Sequence, residues 1–499
     1  MKKKLLAGLT ALLCCFQSLP VLTGFAEDVT LGDVTQDGRI DIMDVILVNK
    51  SVFGRETLTD AQIQAADVNK NQKVDTSDSL LMMQYIVKLI EDFDGDSSKL
   101  KLSEFVKNLS ESVKSESVEG AEADEAFISG QTKFYLELFQ NAEKESEGEN
   151  MLISPYSVVQ ALGMTANGAD GQTKSEMEQV IGSMEIEKLN PYLYTQRINQ
   201  PNTEKCKLST ANSIWYRNDE NRLQVSKDFL QVNADYYGAD AFSAPFDNST
   251  VKDINDWVNY RTDSMIPELL DEIGADTVMY LINAVAFDAK WQSPYSEWSV
   301  SERDFTTEDG TIQKAQMMYY NEKEPEYQYL EDENAIGFYK NYEGGRYAFA
   351  AMLPNEDVSV SDYIAGLTPD SLYETLSNPT MIDVHTVIPK FSYDYDIDLA
   401  QNALKSMGMT EAFIPYRADF TKMANGDGLY ISRVLHKTHI EVSEGGTKAA
   451  AVTAVETKDT AELYVPEYKE VVLDRPFVYY IVDMETHLPV FMGTVMTVE

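Results

Sequence analysis

Cysteine, positive charge and long apolar runs are all scarce in this chain of 499 residues. Two of its three cysteines, Cys14 and Cys15, lie in a segment with the pattern of a secretory leader. That segment reads Met1-Lys2-Lys3-Lys4, an apolar run from Leu5 to Phe16, then Gly24-Phe25-Ala26. It predicts a signal peptide over residues 1–26, and its apolar core is too short for a membrane anchor. Cys206 is left without a partner, which excludes a disulfide framework despite the expected secreted, extracellular address. No later stretch is apolar for long enough to span a bilayer, so no membrane insertion is expected. Acidic residues outnumber basic ones, 82 to 41, and losing the three leader lysines takes the formal charge from −41 to −44. Such a charge repels nucleic acid and anionic membranes alike. Gly-x-Ser-x-Gly and His-Glu-x-x-His are also absent, which weighs against two common classes of hydrolase. His436 and His439 have no third ligand in the pattern, so a zinc site is not expected.

What is present begins with an internal repeat in residues 29–91. Asp33, Thr35, Asp37, Arg39, Asp41 and Asp44 recur 34 residues later as Asp67, Asn69, Asn71, Lys73, Asp75 and Asp78. These are positions one, three, five, seven, nine and twelve of a loop that offers oxygen to a hard cation, with the backbone carbonyl used at seven. Two acidic surface turns before helices would be the bland reading of one such loop, and two copies in register argue against it. Asp replaces the usual Glu at position twelve, and one helix follows each loop. In these respects the segment resembles a dockerin, a small all-α module with paired EF-hand-like loops that hold two Ca2+ ions. The resemblance implies docking to a cohesin module of a cellulosome scaffold. Loop positions ten and eleven, Ile42 and Met43 in one copy and Thr76 and Ser77 in the other, are the implied cohesin-binding residues. Gln72 stands where the first copy has Gly38, so the second site is expected to bind calcium more weakly.

Residues 92–124 are rich in Ser, Glu and Asp and read as a solvated linker, with Leu102, Phe105, Val106 and Leu109 able to form a short amphipathic helix. Helical periodicity at Phe127, Phe134, Leu136 and Phe139 then opens a large domain, 125–499.

Near the C-terminus stands Glu444-Gly445-Gly446-Thr447-Lys448-Ala449-Ala450-Ala451-Val452-Thr453-Ala454-Val455. As a strand, one face carries Thr447, Ala449, Ala451, Thr453 and Val455, all small or apolar, while Lys448, Glu456 and Lys458 share the other. On composition alone, a short Ala-rich helix capped by Thr447 is the better reading. The segment resembles the reactive-loop hinge of inhibitory serpins at Glu444, Gly446, Thr447, Ala449, Ala450 and Ala451. Further serpin-like blocks stand in family order at Asn150–Ser157, Leu208–Trp215, Leu281–Phe287 and Val472–Val478.

The resemblance implies a mixed α+β serpin fold: three β-sheets, eight to nine helices and an exposed reactive loop from about Gly446 to Tyr468, needing no cofactor. It also implies suicide inhibition of a target serine protease rather than enzymatic catalysis, so no catalytic residues are assigned. The protease would cut the loop, and the hinge segment would then insert into the main sheet. Each new ladder hydrogen bond contributes about 1 kcal/mol net, and apolar burial about 25 cal/mol per Å². Ser154, Ser157, Asn283 and His436 match the polar cluster beneath that sheet, and Trp291 the tryptophan where the loop enters. Counting along the loop puts the scissile bond at Thr460-Ala461, which suits an elastase- or subtilisin-like enzyme. Lys458, Leu463 and Tyr464 are alternatives. Gly445 departs from the family, which often has a charged residue there. The competing reading is a non-inhibitory serpin-fold binding module carried on the cellulosome.

Overall fold

The computed structural model describes residues 30–52, 55–69, 73–86, 100–218, 224–274, 277–319, 326–400, 402–425, 428–447 and 468–498. The expected leader, residues 1–26, falls outside them. The chain divides into two compact units, one ending at Leu100 and the other running from Lys101 to the C-terminus.

The first unit has helices Ile42–Val52, Asp60–Ala66 and Thr76–Ile86 around a core that includes Val34, Val45, Val48, Ala65, Val68 and Met82. The repeat in sequence is a repeat in structure. Asp44 is buried and accepts the backbone N–H groups of Thr35 and Asp41, both at 2.8 Å. Asp78, also buried, accepts those of Asn69 at 3.2 Å and Asp75 at 2.9 Å, the same two loop positions. The middle helix went unanticipated. Thr59 starts it with a capping box closed by Gln62.

The second unit holds three sheets and, among the described residues, nine α-helices, the expected mixed α+β architecture. The main sheet has seven strands in the order 107–108, 240–244, 206–217, 279–290, 446–447, 434–443 and 391–398. A ten-stranded sheet lies in the same core, and strands 224–225 and 424–425 form a small third sheet. The buried helix Pro155–Ala166 packs against both large sheets. Ser154 caps it and Pro155 starts it, where the missing proline N–H costs nothing.

The linker expectation needs correction over residues 101–124. Lys107 and Asn108 pair antiparallel with Ser243 and Phe242 and so extend the main sheet by one strand. Ser103 donates its backbone N–H and its hydroxyl to Asp253, both at 2.7 Å, and the Glu116 N–H reaches Asp235 at 2.6 Å. The cause is the open edge of strand Asp240–Ala244, whose unpaired backbone groups recruit a polar segment that has too few apolar residues to fold alone. No amphipathic helix forms there. Phe105 is exposed, and Leu109, Val113 and Ala123 rest on the core.

Candidate functional site

Two polar constructions sit along one seam of the main sheet, between strands Met279–Lys290 and Val434–Ser443. Lower on the seam the two strands pair in parallel, from Val434 opposite Leu281 to Lys437 opposite Ala284. Among the described residues this direct pairing goes no further. At the upper end Gly446 and Thr447 are wedged between the strands, paired antiparallel with Lys290 and Ala289 on one side and with Ser443 and Val442 on the other.

The lower construction joins four of the residues expected together. His436 lies opposite Asn283, and Asn283 opposite Asn212, one row across three strands. The Ser154 backbone N–H donates to His436 Nε2 at 2.9 Å, so the ring proton is on Nδ1 and points to Asn283 Oδ1, also at 2.9 Å. Asn283 Nδ2 donates to the Ser157 carbonyl and to Asn212 Oδ1, both at 2.8 Å, and meets the Ser157 hydroxyl. Ser154 Oγ donates to the Val490 carbonyl at 2.7 Å, which ties the cluster to the ten-stranded sheet. Burial lowers the pKa of His436 to about 3, so the ring is neutral. Asn212 was not among the expected residues. It lies inside the quoted Leu208–Trp215 block, but only the strand register reveals its partners.

The upper construction holds the hinge. The Trp291 indole N–H donates to the Ser443 carbonyl and its backbone N–H to the Gly445 carbonyl, both at 2.9 Å. Tyr295 donates its N–H to the Glu444 carbonyl at 2.9 Å. Lys390 pairs with Glu444 at 2.9 Å. Burial alone would raise the Glu444 carboxyl, but the Lys390 ammonium holds it below the ordinary range. Gly446 has φ +149°, and a Cβ there would sit 2.1 Å from the Ala289 carbonyl oxygen, so only glycine fits. The Thr447 side chain is 1% exposed, with its hydroxyl 2.6 Å from that of Tyr342.

This corrects the expectation that the exposed loop starts at Gly446. Gly446 and Thr447 are already in the sheet, and Tyr468 begins strand Tyr468–Val472. Ala449, Ala450, Ala451, Thr460 and Ala461 lie outside the described residues.

In the first unit, Ile42 and Met43 are 49% and 55% exposed on the helix after the first loop, with Ile46 beside them. Thr76 is exposed on the helix after the second loop, Thr76–Ile86, and the Ser77 side chain lies outside the description. That helix is not wholly polar, since Leu80 is 59% exposed and Met83 is exposed too. In the first loop, Asp33 accepts the N–H groups of Asp37 and Gly38, Asp37 that of Arg39, and Asp41 that of Met43. In the second, burial raises the Asp78 carboxyl above the ordinary aspartate range; the Asp75 and Asp67 charges add to this, and its backbone N–H partners offset part of it. Asn71 lies outside the described residues. Among the described residues no three acidic, histidine or cysteine side chains converge closely enough to hold a metal ion. The donor set is nonetheless all oxygen, and Gly38, at φ +83° with open space around it, makes the sharp turn a calcium loop needs.

Comparison with known families places this geometry. The family described as Serpin (serine protease inhibitor) matches residues 129–498, and the chain belongs to it. A dockerin type I domain matches residues 31–87, so this is a serpin that carries an N-terminal dockerin. Leukocyte elastase inhibitor A of Mus musculus is 28% identical over 385 residues, spanning 74% of this chain and 99% of that protein. The thermophilic serpin tengpin in its native state is 46% identical, with a TM-score of 0.73, over 79% of this chain and all of that one. Its latent state aligns less well, at 43% identity and a TM-score of 0.65, over 76% of this chain and all of that one. Among the described residues no helix is long and apolar enough to cross a membrane.

Proposed function

We propose that this protein traps a serine protease by cleavage and insertion of its reactive loop, and that its dockerin fastens it to a cohesin of a secreted cellulosome. One observation carries the first half: Gly446 and Thr447 already occupy the seam that an inserting strand must fill, with the Thr447 side chain buried. The protease serine attacks a loop carbonyl, the peptide bond breaks, and an ester to the chain forms. The new amine leaves with the C-terminal fragment and takes the serine's proton. Ala449, Ala451, Thr453 and Val455 then follow the seated Gly446 and Thr447 down the seam and draw the tethered protease with them. Thr460-Ala461 is the proposed bond, and an elastase- or subtilisin-like enzyme the proposed target. The name of the mouse relative, an inhibitor of leukocyte elastase, is in keeping with that choice.

In the dockerin, Asp33, Thr35, Asp37, the Arg39 carbonyl, Asp41 and Asp44 would hold one calcium ion. Asp67, Asn69, Asn71, the Lys73 carbonyl, Asp75 and Asp78 would hold the second. Bound calcium neutralises the gathered carboxylates and rigidifies the loops that present Ile42, Met43, Thr76 and Ser77 to a cohesin. The test mixes the mature chain with elastase-, subtilisin-, chymotrypsin- and trypsin-like proteases and reads denaturing gels and intact masses. A stable covalent adduct is expected, with a released peptide beginning at Ala461. Cleavage by every protease with no adduct would leave only the non-inhibitory binding module.

A further inference from the structure

Lys340, on strand Ala335–Asn341, is only 4% exposed, an unusual place for an ammonium group. Its Nζ lies 4.4 Å from the centre of the Tyr295 ring and 5.5 Å from that of Trp291. These are the two residues whose N–H groups hold the carbonyls of Ser443, Glu444 and Gly445. Trp291 also stacks on Tyr342 at 4.6 Å and 11°, and Tyr342 in turn meets Thr447. Lys340 therefore sits under both rings that grip the turn between strand Val434–Ser443 and the seated hinge. A desolvated ammonium is drawn to the negative faces of aromatic rings, so its charge fixes the position of both.

We propose that Lys340 is a positioning residue for loop insertion: its buried ammonium braces Trp291 and Tyr295, which hold the turn at Glu444 and Gly445 in the form from which the inserted strand grows. The proposal rests on the insertion mechanism above. The turn is the first part of an antiparallel hairpin, and every later residue pairs only after it is in place. Loosening the rings slows the first step, and the acyl-enzyme has longer to hydrolyse.

The test compares wild type with Lys340→Met, which keeps the stem and removes the charge, and with Lys340→Arg, which restores a cation. Removing one member of a buried charged cluster is destabilising, so the melting temperature of Lys340→Met should fall, and the partition between trapping and hydrolysis carries the comparison. The excess of inhibitor consumed per protease trapped should rise roughly tenfold, the scale of a desolvated cation–π contact, and Lys340→Arg should recover most of it. Tyr295→Leu supplies a second route: it should raise the same ratio, and adding Lys340→Met to it should change little more. A lower melting temperature with unchanged partition would overturn the proposal, as would strict additivity of the two changes. If wild type traps no protease, the inhibitory reading fails by itself. Lys340 is then judged by how fast loop-nicked protein gains heat resistance, and equal rates for wild type and Lys340→Met overturn it.

Discussion

Single atoms set the behaviour of the seam. At Gly446 a methyl group would collide with the Ala289 carbonyl oxygen, and the backbone angle is one that side-chain-bearing residues rarely adopt. Gly446→Ala should therefore unseat the hinge at a cost of about 1–3 kcal/mol. Hydrogen exchange should show faster loss of protection at Val442 and Thr447 while helix Pro155–Ala166 stays protected. Thr447→Arg would force a charge onto the buried face, which a desolvated guanidinium without a partner does not tolerate. It should convert inhibitor into substrate, and wild-type yields of covalent complex from this variant would refute the insertion mechanism. His436 behaves differently because its effect depends on pH. Its folded pKa of about 3 is below the unfolded value of 6.5, so the unfolded chain takes up the proton first. The contribution to stability is whole above pH 6.5 and is lost as the pH falls towards 3. Urea midpoints should drop over that window, and His436→Gln should flatten the part of the decline that belongs to this ring.

Segment by segment, much was legible and some was not. The two repeated loops and the helices after them follow from oxygen-bearing residues at fixed spacing, and in both copies the position-twelve aspartate accepts the N–H groups of positions three and nine. The seam was legible only through resemblance, because Ser154, Asn283 and His436 are far apart in the chain and no periodicity joins them. Asn212 escaped notice since its role comes from register across three strands. The segment 101–124 was misread because its composition is that of a solvated chain. What orders it is an open strand edge more than a hundred residues away, which local pattern cannot show. That docking can be tested at its strongest point. Asp253→Ala removes both hydrogen bonds to Ser103 and should cost about 1–2 kcal/mol. Limited proteolysis should then cut between Lys101 and Glu116 well before the body of the domain. Equal resistance in the variant and wild type would mean that strand Lys107–Asn108 holds the segment without help.

Across the described residues, the main cores of the two units share no residue. One gathers Val34, Val45 and Met82, and the other runs from Phe127 to Met496. Their chemistries differ as well, since the small unit gathers the carboxylates proposed to hold calcium and the large one encloses a neutral polar row. Calcium should therefore act on one unit and leave the other unchanged. With calcium in excess, calorimetry of residues 27–499 should show two melting transitions, and chelation should abolish one and leave the other in place. Cohesin binding should vanish with it while the yield of protease adduct stays the same. The two sites should also differ from each other. Gly38 turns freely at φ +83°, whereas Gln72 must bring a side chain to the matching position, a cost of about 1 kcal/mol or more. Titration of the calcium-free chain should resolve a tighter and a weaker site. Asp44→Ala should remove the tighter one and Asp78→Ala the weaker. Two equal affinities would show that the second loop adopts its turn without strain, and Gln72→Gly would then gain nothing.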